Sequence, residues 1–336
     1  MKTKETIETD SLVRYSMNFV TYRRLMNDHI RFRHSYTAEF KSNFLCRILT
    51  NYLCYIQKTD KSRFDKNVEN SLTNKKNLEY FQSGRLSVTA ALAKKIKEFS
   101  FYNNKNFKKS TVISFALESF ASMPFTEREK IYFYGLYCSL MDFIKESQMI
   151  HLEYKEKGNI NDEGNKKYEV IPYDIVVDDN SFSYYLIGHA AEEKKESPKM
   201  ICSFKISRIV SCRSLYDTCS LDEDTNRKIN NRLAKFGAAY VEDGDDPEEI
   251  VIRLSQKGYG LFLTSIARQR PVPKEEPKPD AEKPEFYILK FDCSYAQIRN
   301  YFFSFGGEAE VLSPTELRDR FISDYSKALE HYNTST

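Results

Sequence analysis

The chain has no tryptophan, no CxxC pair and no HExxH or H-x-H spacing, and none of its apolar runs is long enough to cross a bilayer. Each absence removes a class of protein. The seven cysteines, at 46, 54, 138, 202, 212, 219 and 293, are an odd number, and most lie inside apolar runs, as Cys138 does in YGLYCSL. They read as reduced core thiols, not as a disulfide frame or zinc site. The five histidines, 29, 34, 151, 189 and 331, offer no metal-ligand spacing, so no metal, cofactor or catalysis is expected. The start MKTKETIETDS lacks the apolar core of a signal peptide, and the longest uncharged apolar stretch, Ile131 to Met141, is too short to span. The expectation is a soluble cytoplasmic protein with no membrane partner.

Aromatic rings are abundant: 23 Tyr and 24 Phe bring the aromatic fraction to 14%, a globular composition. A length of 336 residues exceeds what one core supports, so two or three domains are expected. The net charge of +3 hides an asymmetry, because 25 Lys/Arg stand against 15 Asp/Glu up to residue 150 and 26 against 33 beyond it. A basic first part and an acidic second fit either a nucleic-acid-facing half or a Lys-rich solvated helical surface.

Residues 12 to 57 read as helical, with Phe40, Phe44, Ile48 and Tyr52 recurring every four positions between Arg23, Arg24, Arg31, Arg33, Lys41 and Arg47. Residues 58 to 77 are polar and weakly patterned, a loop or frayed helix. In RLSVT the alternation puts Leu86 and Val88 inward and Arg85, Ser87 and Thr89 outward. A helix with the stripe Leu92, Ile96 and Phe99 follows, then a turn containing Asn103 and Asn104. Ser110 can cap a second helix carrying Ile113, Ala116, Leu117 and Phe120 on one face.

This strand, helix, helix succession resembles the ribbon-helix-helix family. The resemblance implies that two chains pair their strands, making a homodimer. It also implies Arg85, Ser87 and Thr89 as readers of a DNA groove, with Lys109, Ser110 and Thr111 as phosphate anchors. The turn NNKNFKKS is longer than the family's and lacks its glycine, so a dimerisation module that does not read DNA stands beside that reading. Thr126 to Glu129 then reads as a capping box opening a connector helix to about residue 147, with the stripe Ile131, Tyr134, Cys138, Met141 and Ile144.

From 148 to 215 the pattern becomes strands: MIHLEYKE, KKYEVIPYDIVVDD, SFSYYLIGHA after a turn at Asp178 to Asn180, MICSFKI and RIVSCRSL. Pro172 marks an edge or bulge. Five short strands suit a small, partly open barrel. In SFSYYLIGH, alternation sends Phe182, Tyr184 and Leu186 to one face and Ser183, Tyr185 and His189 to the other.

IHLEY, VIPYDIVVDDNSFSYYLIGH and SFKISRI together resemble the WYL domain, an SH3/Sm-like barrel of bacterial regulators, its namesake triplet falling on Tyr184, Tyr185 and Leu186. The resemblance matches the family's basic element to Lys205 and Arg208. Lys205 stands where Arg is common, and Ser207 where an acid is common. The resemblance implies Tyr185, Lys205 and Arg208 as a nucleic-acid surface, and the strand pattern adds Tyr154, Ser183 and His189 as candidates beside them. A ring, hydroxyls and cations together suit a nucleotide or single-stranded nucleic acid, with stacking worth ~1 to 3 kcal/mol per base. Alternatively Tyr185 is a barrel-face aromatic and His189 an ordinary strand-end histidine.

A helix at 222 to 236, with Ile229, Leu233 and Phe236, stops at Gly237, and the acidic loop VEDGDDPEE marks a boundary. Beyond it the expected order is strand (250 to 255), helix (256 to 268), a strand near RPVP, strand FYILKFDC, helix YAQIRNYFFSFG, strand AEVLS and a final helix. That helix has Ser313 as cap, Pro314 first and the stripe Leu317, Phe321, Tyr325 and Leu329. KEEPKPDAEKPE, 274 to 285, reads as a mobile loop. The order resembles the ferredoxin-like extension that often follows WYL domains.

The expected fold is therefore α+β and multidomain: a helical N-terminal extension (1–83), a ribbon-helix-helix-like dimerisation module (84–123), a connector helix (124–147), a WYL β-barrel (148–220), a helix and acidic linker (221–247) and a ferredoxin-like domain (248–336). This architecture resembles the WYL accessory proteins of type VI-D CRISPR systems. The resemblance implies a homodimer that binds single-stranded RNA and stimulates the RNA-guided type VI-D CRISPR nuclease without catalysis of its own. The alternative is a ligand-responsive, DNA-binding transcriptional regulator. An RNase using His151 or His189 lacks a second acid or base from any motif.

Overall fold

Alternation governs the first described residues: Val13, Tyr15 and Met17 are buried while Leu12 and Arg14 are exposed. Ser11–Asn18 is accordingly a strand, β1, where helical spacing was expected from residue 12. The computed structural model describes residues 11–32, 41–59, 81–102, 105–155, 165–178, 181–193, 198–241, 248–264 and 270–333. Arg33 and Phe40 of the expected first helix, residues 60–77 of the expected loop, Asn103 and Asn104, Asn180, residues 242–247 of the acidic loop and the end of the 256 to 268 helix lie outside them. The chain divides into two compact units. One is Met1–Asp174 with Ala191–Ser197 and Phe204–Cys219, and the other is Ile175–Ala190, Pro198–Ser203 and Ser220–Thr336.

In the first unit β1 leads into α1 (Phe19–Phe32), and the Asn18 side-chain oxygen accepts the Thr21 N–H at 2.7 Å. Next come α2 (Lys41–Thr59), β2 (Phe81–Val88), α3 (Ala90–Phe99), the two-residue strands β3 (Phe101–Tyr102) and β4 (Lys105–Asn106), and α4 (Lys109–Ser122). β2 pairs antiparallel with β1, Arg14 opposite Arg85. The ribbon is therefore completed inside one chain and not by a second copy. The physical reason is effective concentration: a tethered strand of matching alternation outcompetes one that must arrive from solution.

Two caps differ from expectation. Thr89 accepts the Leu92 N–H at 3.3 Å and so opens α3 instead of pointing to a groove. α4 starts after Lys108, which makes no side-chain cap bond, and Ser110 lies in its first turn. The connector is two helices, α5 (Phe125–Tyr132) and α6 (Tyr134–Lys145), broken at Phe133. The Thr126 to Glu129 box does not form, because Pro124 caps α5 and Glu129 is buried. Arg128 of α5 holds Asp28 of α1 through two bonds of 2.6 and 2.9 Å, both side chains buried. Beside them Phe32, Phe44, Tyr132 and Phe133 pack into one aromatic cluster, Phe32 stacked on Tyr132 and Phe133 edge-on to it.

β5 (Gln148–Tyr154), β6 (Lys166–Asp178), β7 (Ser183–Glu192), β8 (Met200–Lys205) and β9 (Ile209–Thr218) form one sheet in the order β8-β7-β6-β5-β9. No ladder joins β8 to β9 among the described residues, so the sheet is open and not a closed barrel, although one 3-10 turn, Ile206–Arg208, connects its edge strands. Pro172 sits in an inner strand and not at an edge. The ladder from β5 ends at Val170, so Pro172 lies beyond it on that side.

In the second unit α7 (Glu223–Phe236) is capped by Asp222 and stopped by Gly237 at φ 75°. β10 (Ile250–Ser255), α8 (Gln256–Thr264), β11 (Lys278–Pro279), β12 (Phe286–Phe291), α9 (Tyr295–Phe302), β13 (Ala309–Ser313) and α10 (Thr315–Asn333) follow. All neighbouring strands are antiparallel in the order β11-β12-β10-β13, over a core that includes Ile252, Leu289, Phe291, Phe302 and Leu317. Residues 270–273 form no strand. The edge strand comes instead from the Pro-rich segment, where Pro279 is acceptable because an edge leaves N–H groups unused. No described helix is long and apolar enough to cross a membrane.

Candidate nucleic-acid interface

The expected surface residues divide between the two units. In the first, Tyr154 closes β5 with its ring edge-on to Phe204 at 5.3 Å, and Phe204 in turn meets Tyr168 at 5.0 Å. The Tyr154 hydroxyl accepts the backbone N–H of Lys205 at 3.2 Å. Lys205 ends β8 and precedes the 3-10 turn, whose Ile206 and Ser207 are buried and pin it in place. Lys205 leads into the turn in extended conformation and Arg208 ends it, and both are half-buried. Among the described residues no carboxylate pairs with Arg208.

Lys155, 3% exposed, donates its backbone N–H to the Arg208 carbonyl at 3.0 Å, tying the end of β5 to the same turn. Sequence reasoning passed over it because a lysine closing IHLEYK looks like any strand-end lysine. His151, offered as a catalytic alternative, faces Glu193 at 3.8 Å. Cys212 lies on β9 opposite Leu152, and burial pushes its thiol up to about 11, which makes it a poor nucleophile.

In the second unit, Tyr184 and Leu186 of the triplet are buried as alternation requires, and Tyr185 and His189 are half-buried. Two neighbours reverse their expected sides. Phe182 takes φ 52° in the turn and is exposed, while Ser183 is 1% exposed with its hydroxyl unbonded among the described residues. The cause is the tight turn: Asp178 is buried, its carboxylate accepts the Ser181 N–H at 2.7 Å, and the chain must pass through a left-handed residue before re-entering the sheet. The other oxygen of Asp178 accepts the Ala239 N–H at 3.3 Å, with Gly237 alongside. Ser181 donates weakly to the Tyr185 hydroxyl at 3.4 Å.

In the ribbon, Arg85 and Ser87 are exposed as expected and the Ser87 carbonyl accepts the Cys46 thiol at 3.3 Å. Thr89 is occupied as a cap. Lys109 is exposed and Ser110 half-buried in the first turn of α4. The outward arginine that the sequence reading missed is Arg14, hidden by the helical reading of residues 12 to 57.

Comparison with known proteins adds three findings. Residues 246–329 match the WCX domain, which is WYL-class. No match to a curated protein was found. Among solved structures, one described as the crystal structure of a CRISPR Cas-related protein superposes with a TM-score of 0.69 at 18% identity, covering 100% of this chain and 97% of that one. The proteasome accessory factor PafBC of Arthrobacter aurescens reaches a TM-score of only 0.25 at 14% identity, over 72% of this chain and 36% of that one, and carries no argument. The chain is thus similar to WCX domains over residues 246–329, a quarter of its length, and along its whole length to the fold of a CRISPR Cas-related protein.

Proposed function

We propose that this chain is a non-catalytic accessory protein that holds single-stranded RNA and modulates an RNA-guided CRISPR nuclease of type VI-D, stimulating it. The observation that carries the reading is the single turn bearing Lys205 and Arg208, braced by the Tyr154 hydroxyl and by the Lys155 backbone. Two cations carried at the ends of one short turn suit a flexible polyanion. The WCX match and the fold likeness to a CRISPR Cas-related protein support the accessory role. A second copy pairing through the ribbon is not part of this reading, since β1 fills that place.

The test is titration of labelled single-stranded RNA and of duplex DNA with the full chain at matched salt, followed by RNA cleavage by the nuclease with and without it. Tighter binding of RNA, intact RNA with the chain alone and faster cleavage by the nuclease are expected. Preference for duplex DNA with no effect on the nuclease would replace this reading with that of a transcriptional regulator.

A further inference from the structure

The first unit contains the same β-α-α unit twice. Setting β1-α1 on β2-α3 without gaps matches Asn18 with Thr89, and both cap their helices by accepting an N–H three residues on, from Thr21 and Leu92. The same setting matches buried Thr21, Leu25 and Asp28 with buried Leu92, Ile96 and Phe99. Setting α2 on α4 matches Phe44, Leu45, Ile48, Leu49, Tyr52 and Leu53 with Val112, Ile113, Ala116, Leu117, Phe120 and Ala121, every one buried. Helices repeating a full burial pattern, with strands that pair antiparallel, make a pseudo-dimer within one chain.

The repeat also matches Arg14 with Arg85, and these two are direct cross-strand partners. A residue paired with its own repeat mate lies on the pseudo-twofold axis, so the axis passes between two arginines. Both are exposed, and among the described residues neither has an acidic partner. The buried face beneath them is Val13, Tyr15, Met17, Leu86 and Val88. Like charges directly opposite on a ribbon, with side chains about 5 Å apart at their base, are destabilising unless an anion lies between them. Leu12, Arg14, Ser83, Arg85 and Ser87 of the open face are exposed, and a guanidinium pair there matches the oxygens of a phosphate.

We propose that Arg14 and Arg85 form a second phosphodiester contact, complete in one chain, which holds the backbone of the single-stranded RNA bound by the protein. This rests on the RNA-binding reading above and adds a site in the ribbon to the one on the sheet. Neutralising two phosphates of a single strand contributes about 1.4 to the slope of log K against log salt, which corresponds to about 25-fold in affinity at 0.1 M salt relative to 1 M.

The experiment is fluorescence anisotropy of labelled oligouridine against the full chain and the Arg14→Ala/Arg85→Ala variant from 0.05 to about 0.5 M salt, a range over which that slope is readable. Duplex DNA is run alongside, and thermal melting serves as the fold control. Supporting results are a slope lower by about 1.4, a melting temperature that is equal or higher, and a loss of affinity in each single variant. RNA binding with an unchanged slope in the double variant overturns the ribbon site alone. Losses confined to duplex DNA overturn the assignment to RNA. No RNA binding by the unmodified chain overturns the reading on which the proposal rests.

Discussion

Asp28→Ala is the perturbation whose size the structure fixes most closely. Asp28 is 1% exposed and accepts two bonds from the Arg128 guanidinium, at 2.6 and 2.9 Å, while Arg128 also donates to the Met123 carbonyl at 2.6 Å. Removing the carboxylate leaves the guanidinium buried with one carbonyl for company, a loss of about 3 to 5 kcal/mol. With a urea dependence of about 1 to 3 kcal/mol per molar, the midpoint of unfolding should fall by roughly 2 M. Replacing both partners, Asp28→Leu with Arg128→Met, removes the charge and its partner together and should recover most of that loss. The repeat supports this, since the position matching Asp28 is Phe99, an apolar residue in the same buried place. Urea unfolding followed by circular dichroism reads all three. A single variant within about 0.5 kcal/mol of the parent, where ordinary surface substitutions fall, would refute the claim that this pair is buried and mutually dependent.

Three further outcomes are expected. Gly84→Ala would put a methyl group 2.7 Å from the Tyr15 hydroxyl, so the ring must shift and the thermal midpoint should fall by the equivalent of about 1 to 3 kcal/mol, whereas an unchanged midpoint would contradict the close approach across the ribbon. Burial pushes the Cys212 thiol up to about 11 and that of Cys293 up to about 12, so mass-mapped alkylation at pH 8 should label these two last, and early labelling of either would contradict their burial. Glu275, bonded by Lys278 and then Lys290, and Glu308, bonded by Ser255 and then Lys257, are held below the ordinary carboxylate range. Carboxylates held low stabilise the fold above their unfolded range and lose that contribution as pH falls through the folded one, so the melting temperature should drop on acidification from pH 5 to 3, and a rise would contradict these contacts.

Helix faces were legible because burial follows their spacing: Leu92, Ile96 and Phe99 form the buried face of α3 as the sequence implies. The strand triplet Tyr184, Tyr185 and Leu186 was legible for the same reason. β1 was not, although Val13, Tyr15 and Met17 alternate, because the strand runs into α1 at Asn18 without a proline or glycine to separate two periodicities. Its partner β2 lies far along the chain, and pairing at that separation leaves no local mark. Ser183 was misplaced because one left-handed residue, Phe182, resets the alternation. The turn carrying Lys205 and Arg208 could be found from SFKISRI, but the bracing by Tyr154 and Lys155 depends on strands meeting across the sheet.

The central claim is that Lys205 and Arg208 hold an RNA backbone from one rigid turn. The most direct measurement is the affinity of labelled single-stranded RNA for the full chain and for Lys205→Ala/Arg208→Ala across a salt series. The account predicts correctly folded protein, weaker binding and a salt slope lower by about 1.4, the share of two phosphates. Equal affinity and an equal slope in parent and variant would contradict it.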